Sequence, residues 1–81
     1  MAKEVGVIIE IKDNKRSTHL FYYPDGKKFI SRVQVLKKGL LEGFKIHDKV
    51  ELEFFNDYNE VERNDKILGF DNNKLETIVK A

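Results

Sequence analysis

The chain contains no cysteine, which excludes disulfides and thiolate metal sites and makes a reducing cytoplasm its natural setting. No apolar run is long enough to span a bilayer, and Met1-Ala2-Lys3-Glu4-Val5 is charged where a signal peptide would be apolar. Catalytic signatures are also missing. A nucleophile, a base and an orienting group must lie in mutual reach. The only histidines are His19 and His47, the only serines are Ser17 and Ser31, and there is no Gly-x-Ser-x-Gly elbow. The histidines lie far apart without metal-ligand spacing, and His47 beside Asp48 reads as a loop residue leading into a strand. Gly39 and Gly43 belong to no P-loop or dinucleotide fingerprint. These absences predict a soluble, cytoplasmic, non-enzymatic protein with no metal or cofactor and no membrane partner.

What is present is mostly strand. At 81 residues the chain reads as a single domain, 1–81, near the lower end of what one core stabilises without staples. Val5, Val7, Ile9 and Ile11 share one face of a period-2 ladder over residues 5–12. Asp13 to Ser17 is a polar turn, and Thr18 to Tyr23 a second strand ended by Pro24-Asp25-Gly26, where Pro presets φ and Gly accepts a positive one. Phe29 to Val35 reads as the returning strand of the hairpin. Leu36 to Gly43 breaks the alternation and has room for one short helical turn. Residues 48–55 alternate cleanly, Val50, Leu52 and Phe54 pointing one way and Lys49, Glu51 and Glu53 the other. Residues 56–65 read as a loop or an extended hairpin tip, 66–70 as a fifth strand, and 74–80 as a last strand or a short helix. Five or six short strands in so few residues favour a closed barrel, which removes exposed edges. The prediction is all-β: a small five-stranded OB-like antiparallel barrel with a short extra C-terminal element.

Parity then asks which aromatics face out. In the third strand, Phe29, Ser31, Val33 and Val35 form the core set, leaving Arg32 and Gln34 outside with Ile30. In the second, burying Leu20 and Tyr22 leaves His19, Phe21 and Tyr23 outside, beside Ile30 and Arg32 across the hairpin. Rings on such a surface can stack bases at about 1–3 kcal/mol each, with little regard to sequence. The competing reading inverts the parity and makes Phe21 a core residue.

The net charge of +1 hides an asymmetry. Residues 1–41 hold nine lysines and arginines against four acids, a surplus of five, and residues 42–81 hold six against ten, a deficit of four. Such polarity hints at a polyanion-facing side. The acidic half, with Glu51, Glu53, Asp57, Glu60 and Glu62, suits a basic protein partner instead, anchored by aromatics such as Phe55 and Tyr58.

The order of these features resembles the cold-shock domain, a nucleic-acid-binding OB-fold module. A glycine-led first strand (Gly6 to Ile11), a short polar loop, an aromatic second strand (His19 to Tyr22) and a third strand (Phe29 to Val33) follow one another. Then "EGFKIHDKVELEF", residues 42–54, is similar to the family's Glu-Gly-Phe-Lys stretch and its fourth strand. The resemblance covers roughly residues 5–55. Where the family carries a Lys-Gly-Phe-Gly-Phe-Ile motif, this chain has Ser17-Thr18-His19-Leu20-Phe21-Tyr22, keeping the second phenylalanine and replacing the first ring with His19. The family's Val-Phe-Val-His-Phe motif corresponds to Phe29-Ile30-Ser31-Arg32-Val33, and its first-strand tryptophan position holds Glu10.

Residues and resemblance together predict single-stranded DNA or RNA as the partner. His19, Phe21 and Tyr23 are expected to stack bases, with Ile30 as apolar support and Lys15, Arg16, Lys28 and Arg32 holding phosphates. The alternative is a non-catalytic protein-interaction barrel using its acidic face or a strand edge.

Overall fold

In the computed structural model, the alternating segments become five strands: β1 (Ala2–Asp13), β2 (Thr18–Pro24), β3 (Ser31–Val35), β4 (Lys49–Arg63) and β5 (Lys66–Lys80). The backbone is described throughout residues 1–81, and every side chain except those of Tyr58, Asn59, Val61, Phe70 and Asp71. The strands close into a barrel in the order β1-β2-β3-β5-β4, an OB-like architecture. All pairings are antiparallel except the closing contact of β3 with β5, which is parallel at Gln34↔Lys74 and Val35↔Leu75. No helix long and apolar enough to cross a membrane occurs among the described residues.

The core consists of Ile8, Leu20, Tyr22, Val33, Val50, Leu52, Phe54, Leu75 and Ile78. The expected inward sets of β2 and β4 are the ones buried. β1 differs from its expected pattern. Gly6 and Ile8, not Val5 and Val7, point inward, and a bulge between Ile8 and Glu10 shifts the register so that Ile11 turns in. An inserted residue bends a strand and increases its twist, which lets β1 pair with β4 from Ala2 to Val7 and with β2 from Gly6 to Asp13. Gly6 is required there: a Cβ would lie 2.6 Å from the Tyr23 carbonyl oxygen and 3.0 Å from the Tyr22 ring. A second register shift, opposite Glu53 and Phe54, leaves Glu76 as the extra residue of β5 and lets Leu75 and Ile78 both face inward.

Two further expectations are corrected. β3 begins at Ser31, so Phe29 is no core residue but lies in the β2–β3 connection, 56% exposed. The Pro24-Asp25-Gly26 turn extends through residue 30, and Phe29 is left in the connection where no neighbouring strand fixes its parity. Residues 36–48 form a series of turns instead of a helical turn, with Gly39 and Gly43 at φ 81 and 85. Leu40, Leu41 and Phe44 from this connection pack against the core.

The C-terminal third is one long hairpin. β4 and β5 join through Asn64-Asp65, both at positive φ (51 and 61), the signature of a two-residue type I′ turn. β1 covers β4 only up to Phe54, and β3 touches β5 only at Lys74 and Leu75. Residues 56–63 and 66–73 therefore pair with each other alone, as a two-stranded ribbon beyond the barrel.

Candidate nucleic-acid interface

The outer surface of β1, β2 and β3 follows from β2. Because Leu20 and Tyr22 are fully buried, His19, Phe21 and Tyr23 face out. The register sets them in rungs: Lys12–His19–Gln34, then Glu10–Phe21–Arg32, then Val7–Tyr23. Directly opposed residues of an antiparallel pair hold their Cβ atoms about 4.5–5.5 Å apart, so Phe21 sits between Arg32 and Glu10. Tyr23 is 43% exposed, while His19 and Phe21 are half-buried by their neighbours.

His19 is a ring more than a charge. Burial, and then the nearby Arg32 guanidinium, push its pKa below the ordinary value, so the imidazole is neutral at neutral pH. That leaves the exposed Arg32 as the cation of the central rung.

Other predicted residues flank this face. At one end, the β1–β2 turn carries Lys15 and Arg16. Asn14 Oδ1 accepts the backbone N–H groups of Arg16 (3.1 Å) and Ser17 (3.0 Å), and the Thr18 hydroxyl donates to Asp13 at 2.9 Å. At the other end lies the β2–β3 connection with Lys28 and Ile30, the latter 56% exposed and just before β3 instead of across from Tyr23. At about 3.3 Å per residue, the seven residues of β2 separate these ends by roughly 20 Å. The structure thus unites His19, Phe21 and Arg32 on adjacent rungs, keeps Tyr23 on the next one, and sets Lys15, Arg16, Lys28 and Ile30 beyond either end.

Sequence reasoning overlooked Lys12, Gln34 and Phe29. Lys12 and Gln34, both outward by simple alternation, join the His19 rung, which only the strand register reveals. Phe29 lies under the Lys27 ammonium, 5.8 Å from its ring centroid, and adds an exposed ring near Ile30.

Charge is sorted in the same way. The barrel order keeps β1, β2 and β3 contiguous, and the two halves of the chain meet in ion pairs where β1 adjoins β4 and at the barrel ends. Lys3 bridges Glu51 (3.7 Å) and Glu53 (3.8 Å), Lys49 pairs with Asp25, Lys74 with Asp57 and Lys80 with Asp48. By contrast Lys12, Lys15, Arg16, Lys28 and Arg32 form no ion pair among the described residues. Comparison with protein-family models, curated proteins and solved structures found no match to this chain.

Proposed function

We propose that this barrel is a non-enzymatic, cytoplasmic binder of single-stranded DNA or RNA with little sequence preference. The observation that carries the reading is the row of outward rings on β2, His19, Phe21 and Tyr23, flanked by cations that form no ion pair among the described residues. Bases stack on rings whatever their identity, and lysine and arginine follow the phosphates. Glu10 opposes this at one edge, which fits a weak binder better than a tight one. The likeness to the cold-shock domain supports the same face.

The test is a titration with fluorescent oligo-dT and oligo-U at two or more salt concentrations. Three or four phosphate contacts on a single strand give log K against log salt a slope of roughly −2 to −3. A salt-independent or undetectable interaction at low salt discards the reading.

The ribbon favours one second reading, a protein-binding role. Neither the β1 nor the β3 ladder continues along it beyond the barrel, Ile67 and Leu68 are exposed, and an open strand edge can accept a strand from another chain. Capture of a basic protein, together with failure of oligonucleotide binding, would select it.

A further inference from the structure

Where the β1–β2 turn faces the connection 36–48, the barrel end carries an open groove of about 700 Å³, within the size range of small-molecule sites. Its lining includes the apolar Ile11, Val35, Leu36 and Leu41 and the cationic Lys15, Arg16, Lys37 and Lys38. Asp13 and Glu42 also line it, but Asp13 is engaged by the Thr18 hydroxyl. Lys37 is tied to Glu76 at 3.3 Å, whereas Lys15, Arg16 and Lys38 form no ion pair among the described residues.

We propose that this groove takes one nucleotide of the bound strand, its base against the apolar side and its phosphate on Lys15, Arg16 and Lys38. The inference rests on the nucleic-acid reading and extends it to a second, differently built subsite. A nucleotide is a flat, largely apolar ring joined to an anion, and the lining of the groove combines apolar side chains with cations that form no ion pair among the described residues in the same way. Continuity with the stacking face is set by the strands themselves. Asp13 and Thr18, which line the groove, are the immediate chain neighbours of Lys12 and His19 on the first outward rung. Successive side chains of a strand point to opposite faces, so a bound strand that passes His19 reaches the groove by crossing the end of the sheet at the turn carrying Lys15 and Arg16. The stacking face alone offers three rungs, and the groove adds a further position beyond the turn at the end of the sheet, where apolar residues and cations are combined.

The experiment compares oligo-dT of four, six and eight nucleotides by fluorescence anisotropy. It uses the intact chain, a Leu36→Ser/Lys38→Gln variant and a Phe21→Ala variant. Leu36 is 53% exposed and Lys38 lies in solvent, so the double variant leaves the core untouched. The wild-type chain should gain about tenfold in affinity between four and six nucleotides, the contribution of one more held base. The double variant should bind the four-nucleotide strand like wild type and lose that gain. Phe21→Ala should weaken all lengths and keep it. A double variant that retains the full gain overturns the groove while leaving the stacking face standing. If no oligonucleotide binds the wild-type chain, the nucleic-acid reading fails. Amide shifts at Leu36 and Gly39 on adding thymidine monophosphate would then assign the groove to free nucleotides, and unshifted amides would discard it altogether.

Discussion

The Tyr22 hydroxyl donates to Glu4 Oε1 at 2.6 Å, tying the middle of β2 to the start of β1 across 18 residues of chain. Burial first, and then the bond to Glu4, raise the Tyr22 pKa far above the phenol range, so the hydroxyl stays a donor at every physiological pH. The ring reaches this position only because Gly6 lies beside it without a side chain. Tyr22 is therefore an anchor of the barrel, and its neighbours in sequence, Phe21 and Tyr23, are forced outward.

Two substitutions test this anchor by thermal or urea unfolding. Tyr22→Phe keeps the ring and removes the bond to a carboxylate, which should cost about 1.5 kcal/mol, the lower end for charged partners because Glu4 keeps some access to water. Gly6→Ala should cost about 1–3 kcal/mol, because the atom it meets at 2.6 Å is the Tyr23 backbone oxygen, which cannot rotate away. A Gly6→Ala protein as stable as wild type would contradict the close approach.

The outward direction of Phe21 is tested by pairing it with Leu20. Leu20→Ala, at a fully buried site, should cost about 2–5 kcal/mol of stability. Phe21→Ala should leave the melting temperature nearly unchanged and weaken oligonucleotide binding by about 1–3 kcal/mol. Reversed outcomes, with Phe21→Ala unfolded and Leu20→Ala stable, would remove the stacking face.

How far these features were legible in the sequence depended on whether local alternation survived. Val50, Leu52 and Phe54 alternate without interruption, and so do Leu20 and Tyr22, and all five are core residues. β1 misleads because Val5, Val7, Ile9 and Ile11 look like one face, while the bulge sends Ile11 inward and leaves Val5 and Val7 outside. Phe29 misleads because nothing local shows that the turn consumes residues 25–30. The Asn64-Asp65 turn lacks the glycine that usually marks a type I′ hairpin, so the long β4–β5 hairpin reads as separate pieces. The groove was invisible for another reason: Lys15 and Lys38 belong to different connections and meet across it only once the barrel closes.

His19 gives a pH-dependent prediction. Its pKa is lowered in the folded chain, by burial first and then by Arg32. The unfolded chain therefore binds the extra proton more readily, and stability should rise with pH through the window from the folded value up to about 6.5, then level off. Nuclear magnetic resonance titration should place the His19 midpoint below that of an unfolded peptide. Arg32→Gln should move it part of the way back, since burial, the larger cause, remains. A bound oligonucleotide should also raise it, because phosphate near the imidazole favours the charged form. An unchanged midpoint on saturation would place the strand away from β2.

The ribbon separates the two functional readings most directly. Residues 57–72 lie beyond the strands that β1 and β3 cover, and the barrel part of the hairpin, from Val50↔Lys80 to Phe55↔Lys74, is paired without them. Replacing 57–72 with an Asn-Gly turn keeps the side-chain hydrogen bond between Asn56 and Asn73 (2.9 Å). It removes the Asp57–Lys74 ion pair and the Asn72–Gln34 hydrogen bond, contacts worth about 1 kcal/mol each at partly exposed sites. The shortened chain should therefore fold, with a modestly lower melting temperature. It should bind oligo-dT as the full chain does, because His19, Phe21, Tyr23 and Arg32 keep their places and only Gln34, at the edge of the His19 rung, loses a partner. If it folds but loses oligonucleotide binding, the nucleic-acid surface lies on the ribbon and the β2 face has been misassigned.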